Sequence, residues 1–147
     1  KNPIVDLEKI KVMINMDMIG RVKDSVFTVG GIGTSPVFDK LLDSLSFKKP
    51  FKLIKSNPGS GLSDHAPFYS ENIPVLFFFS GFHDEYHTPK DTWKLINFKG
   101  EKYILDFIYN IVFYLSRSEK PPVFNEAEPK EDKMNTSLKV PLEIIPN

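Results

Sequence analysis

The chain contains no cysteine among its 147 residues. That excludes a disulfide framework, a thiolate zinc site, an iron–sulfur cluster and a cysteine nucleophile, so any metal must be held by His, Asp or Glu. Net charge is missing too: 19 Lys and Arg balance 19 Asp and Glu. A general nucleic-acid binder normally shows a basic surplus, and none exists here. No apolar run is long enough to span a bilayer. What the chain does have is 41% hydrophobic residues, 13 of them Phe, which suits a packed globular domain.

The apolar residues fall into alternating strand and helix patterns. Val12 to Ile19, closed by Gly20, is apolar on both faces apart from Asn15 and Asp17, as in a central strand covered on both sides. Ser25 to Val29 reads as a second strand and ends in a glycine-rich turn. A helix should follow, with Ser35 as N-cap, Pro36 in its first turn and Val37, Phe38, Leu41, Leu42 and Leu45 at helical spacing. Phe51 to Ile54 alternates apolar residues with Lys, a sheet-edge pattern. Ser63 is placed to cap a short helix through Tyr69, and Val75 to Phe79 reads as a buried strand. Gly100 to Ser116 predicts a long helix whose stripe, widened by Leu105 and Val112, calls for cover over nearly its whole surface. Strands interleaved with helices indicate an α/β class.

Three regions are expected: a main domain over 1–118, a solvated linker over 119–133 rich in proline and charge, and a tail over 134–147. Alternation at Leu138, Val140, Leu142 and Ile144 gives that tail two readings, the first strand of a following PDZ-like domain or an ordered segment laid on the main one.

The chemistry-bearing residues concentrate in a few places. His65, His83 and His87 lie within 23 residues that also hold Asp64, Asp84, Glu85 and Asp91. Such a cluster fits a metal or loop histidines satisfied by hydrogen bonds. His83 and His87 have the spacing of the helical zinc-protease motif, but Asp84 stands where that motif needs Glu, and Pro89 opposes a helix, so it is rejected. Asp17 is costly inside an apolar strand unless paired, hydrogen-bonded or on a metal; its other reading is a strand-end cap. Asn15, two residues earlier, shares its face. Gly59, Ser60 and Gly61 form a loop that fits no phosphate-binding fingerprint, and Ser60 and Ser63 lie in no nucleophile-elbow pattern.

In order along the chain, Asn15 to Arg21, then Gly59-Ser60-Gly61 with Ser63, Asp64, His65 and Phe68, then Ile73-Pro74-Val75, then Tyr86-His87-Thr88-Pro89 with Asp91 and Thr92 resemble peptidase family M28, the family of the di-zinc aminopeptidases and of glutamate carboxypeptidase. The resemblance implies a three-layer α/β/α sandwich with a mixed central sheet, of the zinc exopeptidase, phosphorylase/hydrolase-like kind, and two zinc ions at the strands' carboxyl ends. It implies Asp17 as a carboxylate ligand of one zinc, His87 as the imidazole ligand of the other, and Tyr86 as a catalytic hydrogen-bond donor to the tetrahedral intermediate. Ser60 and Gly61 become substrate contacts, joined by Asp64 and His65, and spacing adds Asp91 as a support of the His87 region.

The family's first zinc-binding His, bridging Asp and paired Glu residues come before the block that Asn15 opens, and the first fourteen residues hold no histidine. The expectation is therefore the C-terminal part of a metallo-aminopeptidase domain, whose partner is the N-terminal half of the same domain. The intact enzyme would hydrolyse N-terminal peptide bonds through a di-zinc-activated water, and the isolated chain would not turn over. A peptide is the substrate class, with no nucleic-acid partner and no membrane-spanning segment; the long helix is either packed inside or partly an oligomer surface. Family resemblance favours a periplasmic or secreted location. Two alternatives remain at this point: a single-zinc glutaminyl cyclase-like acyltransferase and a non-catalytic, receptor-like relative.

Overall fold

The structure, a computed structural model, describes residues 5–127. The expected tail over 134–147 and the end of the expected linker lie outside the described residues. Four strands form one sheet: β1 (Met13–Asp17), β2 (Val26–Gly30), β3 (Lys52–Lys55) and β4 (Val75–Phe79), in the order β1-β4-β2-β3. β1 runs parallel to β4 and β2 parallel to β3, while β2 and β4 are antiparallel. The sheet is therefore mixed and the class α/β, as the sequence pattern indicates. The helices are α1 (Phe38–Ser46), α2 (Ala66–Ser70) and α3 (Phe98–Arg117).

Strand alternation divides the side chains between two faces. Phe27 and Val29 of β2 and Leu76 and Phe78 of β4 join Phe38, Leu41 and Leu42 of α1 and Ile104, Phe107, Ile108 and Ile111 of α3 in one buried core. Its centre is aromatic, with the Phe107 ring 6.2 Å from Phe27, 5.2 Å from Phe51 and 6.3 Å from Phe78. A buried Phe of this kind contributes about 3–5 kcal/mol. The other face carries Asn15, Asp17, Phe77 and Phe79 and is covered by the segment leading into α2, where His65 stacks on Phe77 at 4.4 Å.

Several local expectations change. β1 stops at Asp17 because Met18 turns left-handed, with φ 56°, and among the described residues it is an outer strand, its Met16 nearly half exposed. Ser35 does not cap α1. Val37 holds the cap position without a side-chain bond, and the Ser35 hydroxyl is buried without a hydrogen-bond partner. α3 begins two residues earlier than predicted, capped by Asn97, whose Oδ1 accepts from the Gly100 N–H at 3.0 Å. Its stripe is also narrower than predicted: Leu105, Tyr109, Val112, Phe113 and Tyr114 remain exposed. No helix among the described residues is long and apolar enough to cross a membrane.

Residues 119–127, in the expected linker, are largely exposed yet pinned. The Asn125 N–H donates to the Thr34 carbonyl at 2.9 Å, its Nδ2 to Gly33 at 3.0 Å, and the Ala127 N–H to the Tyr69 hydroxyl at 3.1 Å.

Candidate functional site

Because β1 and β4 are parallel, their carboxyl ends meet at one edge of the sheet, with Asp17 registered against Phe79. In α/β folds that edge is where ligands gather. Asp17, Ser63 and the loop after β4 come together there.

Asp17 is half-buried, and its carboxylate is held by a relay. Asn15 Nδ2 donates to Ser63 Oγ at 2.7 Å, and Ser63 Oγ donates to Asp17 Oδ2 at 2.9 Å. The Ser63 side chain therefore does not cap α2; it orients a carboxylate. The strand pattern exposes the shared face of Asn15 and Asp17, but the hydroxyl that joins them comes from a loop 46 residues away, and no local signal marks it.

His65, expected among the substrate contacts, lies beneath the Gly59–Gly61 loop. It is 2% exposed, stacked on Phe77, with Nε2 close under Gly61. The imidazole is packed beneath the loop, where it supports Ser60 and Gly61 from below. Burial, first, pushes its pKa down, opposed by a backbone hydrogen bond at Ser60 and by the charges of Asp17 and Asp64. Ser60, Gly61 and Asp64 are exposed at the loop's outer side. Gly59 is buried, and a Cβ there would sit 2.4 Å from Thr34 Cγ2 and from the Tyr69 ring, so only glycine lets the loop pass.

The loop after β4 presents Tyr86 and His87, both exposed, with rings stacked at 3.9 Å. His87 has φ 56°, a conformation that a non-glycine residue keeps only when its surroundings impose it. Phe82 packs edge-on to Tyr86 at 5.2 Å and Phe79 edge-on to Phe82 at 5.2 Å. Asp91 accepts from Arg21 Nη1 at 2.6 Å, and Glu85 accepts from Arg21 Nη2 at 2.5 Å. That hydrogen bond, above all, holds the Glu85 carboxyl below its usual range. His83, expected only as part of a histidine cluster, is buried between them, Nδ1 3.3 Å from Glu85 Oε2 and Nε2 3.5 Å from Asp91 Oδ2; the Nδ1 contact lacks the alignment of a hydrogen bond. Asp91 is thus bonded to Arg21 and faces His83, four residues after His87.

Among the described residues no three His, Asp or Glu side chains gather to hold a metal ion. Asp17, whose Oδ2 alone is engaged, and the exposed His87 are suitable in kind, a carboxylate and an imidazole, but they are fewer than the three protein ligands of a catalytic zinc.

The family model described as Peptidase family M28 matches residues 1–112. No curated protein matches the chain by sequence. Among solved structures, the LapA aminopeptidase of Legionella pneumophila is similar with a TM-score of 0.63 and 22% identity, over 75% of this chain and 32% of that one. The zinc aminopeptidase BSAP of Bacillus subtilis is similar with a TM-score of 0.61 and 21% identity, over 83% of this chain and 32% of that one. The chain spans about a third of the length of these structures, and at these identities the likeness speaks to the fold.

Proposed function

Because the chain belongs to peptidase family M28, we propose that it forms part of a zinc-dependent aminopeptidase, an exopeptidase hydrolysing N-terminal peptide bonds, in which Asp17 holds one zinc ion and His87 the other. The observation that carries this reading is the placement of Asp17 at the carboxyl end of β1, its carboxylate turned by Ser63, on the sheet edge from which the His87 loop leaves β4. Zinc, when bound, supplies Lewis-acid polarisation of a carbonyl and a water acidic enough to ionise near neutral pH.

This chain's own residues would do the rest. Ser63 fixes the direction of the Asp17 carboxylate. Ser60 and Gly61, propped from below by His65, meet the peptide. Tyr86 donates a hydrogen bond where negative charge develops on the scissile carbonyl oxygen. One ligand per metal is too few, so the remaining ligands come from the N-terminal half of the same domain, and residues 1–118 without that half should not turn over. A periplasmic or secreted location belongs to the same proposal and rests on the family alone.

In the full-length protein, Asp17→Ala and His87→Ala should each lower bound zinc, measured by metal analysis, and abolish hydrolysis of aminoacyl anilides. Unchanged zinc content in both would sink the assignment. Tyr86→Phe should lower kcat about 10²-fold with KM little changed; a pure KM effect would remove the transition-state role.

A further inference from the structure

We propose that Arg21 is the positioning residue of this site: its guanidinium clasps both ends of the turn that carries His87 and ties that turn to the strand end that carries Asp17. The proposal rests on the reading of Asp17 and His87 as metal ligands, and it assigns to Arg21 the fixed spacing between them.

The chain around Arg21 is itself anchored. After Asp17 the backbone turns through Met18 into a single 3-10 turn, Ile19–Arg21, closed by the Arg21 N–H on the Met18 carbonyl at 3.2 Å. The Ser80 hydroxyl, just past β4, donates to that same carbonyl. The Asn97 N–H donates to the Gly20 carbonyl at 2.8 Å. Arg21 is therefore held four residues from Asp17 by contacts on both sides, and its side chain is only 14% exposed.

From that position the two arms of the fork part. Nη2 reaches Glu85 and Nη1 reaches Asp91, two residues before and four residues after His87. Between those anchors the chain is tightly wound: the Tyr86 N–H donates to His83, Thr88 to Glu85 and Asp91 to Thr88, at 3.0, 2.9 and 3.1 Å. The Thr88 hydroxyl also donates to the Glu85 carbonyl at 2.8 Å. His83 fills the space beneath, facing both carboxylates. Two carboxylates converging on one imidazole would repel each other without the guanidinium between them. A planar fork of fixed donors can bridge them; a lysine ammonium brings the charge without the geometry. Ion pairs this close to solvent add little to global stability. What they fix is the place of a turn whose His87 sits in a left-handed conformation.

The test uses the full-length protein in Arg21→Met, Arg21→Lys and Glu85→Gln forms, with two readouts. The first, on metal-free protein, is amide exchange: residues 84–91 should exchange faster in Arg21→Met while β4 is unchanged, with Arg21→Lys intermediate. The second is zinc affinity, which should fall about 10- to 100-fold in Arg21→Met with the unfolding midpoint nearly unmoved. Should Arg21→Met fail to fold, Glu85→Gln releases one arm only and should show the same local loosening to a smaller degree. Unchanged exchange over 84–91, or exchange raised equally throughout the protein, overturns the proposal. His87→Ala separates the two ideas. If it leaves zinc binding intact while Arg21→Met still loosens the turn, the ligand assignment fails and the clasp is structural. If it removes zinc while Arg21→Met changes neither readout, the ligand stands and the clasp fails.

Discussion

Two loops reach the candidate site, one from β3 at the far end of the sheet and one from the carboxyl end of β4, and they are fastened by opposite means. The loop from Ser56 to His65 is held by packing: Gly59 is threaded between Thr34 and Tyr69, and His65 is pressed against Phe77 beneath Gly61. The loop from Ser80 to Thr92 is held by charge, its His87 turn clasped by Arg21 through Glu85 and Asp91. Packing is short-ranged, indifferent to salt and intolerant of added atoms. Ion pairs near the surface are screened by salt and tolerate changes in volume. The side proposed to meet the peptide backbone is thus the rigid one, and the side proposed to present His87 and Tyr86 is the adjustable one.

The largest effect should come from breaking the packed side. In Gly59→Ala the new Cβ meets Thr34 Cγ2 and the Tyr69 ring at 2.4 Å, and neither can withdraw freely. Thr34 donates to the Gly31 carbonyl at 2.7 Å and accepts from the Val75 N–H at 2.9 Å, while Tyr69 bonds Ala127. The expected loss is about 2–3 kcal/mol of global stability by denaturant titration. Glu85→Gln, which breaks one arm of the charged clasp, should leave that titration nearly unchanged. Equal losses in the two variants would erase the distinction between the loops.

What the sequence reveals of these loops differs for a physical reason. The continuous apolar run Val75 to Phe79 and the helical spacing from Ile104 to Ile111 are local patterns, and both elements form where that spacing puts them. Asp17 stands out because a carboxylate in an apolar strand needs a partner. The partner itself, Ser63, reads in the sequence only as a cap or a nucleophile, since a hydroxyl's role depends on what the fold brings to it from far along the chain. Arg21 is the extreme case. It stands within the block of residues that carries the family resemblance, yet its partners lie 64 and 70 residues away, and nothing in the local pattern distinguishes it from a solvated arginine. Ser35 errs the other way. Its sequence context is that of an N-cap, but it follows directly on a 3-10 turn, Ile32–Thr34, the cap position falls two residues later at Val37, and its own hydroxyl finds no hydrogen-bond partner. The covered face of α3 is narrower than its pattern for a related cause, because periodicity marks which residues lie together on a helix and is silent on how much of that face the neighbouring elements reach.

A smaller effect should appear on the packed side as acidity rises. Burial lowers the His65 pKa below its ordinary 6.5. Between pH 6.5 and that lower value the unfolded chain takes up a proton that the folded chain refuses. His65 therefore contributes fully above this window, and its contribution is lost as pH falls through it. The backbone hydrogen bond at Ser60 and the charges of Asp17 and Asp64 limit the shift without reversing it. In His65→Gln the slope of stability against pH across that window should flatten, measured by denaturant titration at a series of pH values. An unchanged slope would mean that the imbalance lies elsewhere and that His65 is less tightly enclosed than its 2% exposure indicates.

The smallest effect is the most direct test of the contrast, because it changes no atom of the protein. Raising ionic strength from about 0.01 M to about 1 M shortens the Debye length from about 30 Å to about 3 Å. Glu85 and Asp91 are about a third exposed, so the solvent reaches the clasp and the attraction between its members weakens. Nothing comparable acts on Gly59 or on the stacked His65 and Phe77, where contact is between neutral surfaces. Amide exchange over 84–91 should therefore quicken severalfold with added salt, while exchange over 59–65 stays level or slows as salt strengthens apolar burial. Arg21→Met, already without the clasp, should lose most of this salt response. If 84–91 were equally insensitive in both proteins, the His83 ring and the turn's own hydrogen bonds would be sufficient to hold it, and both loops would be packed structures.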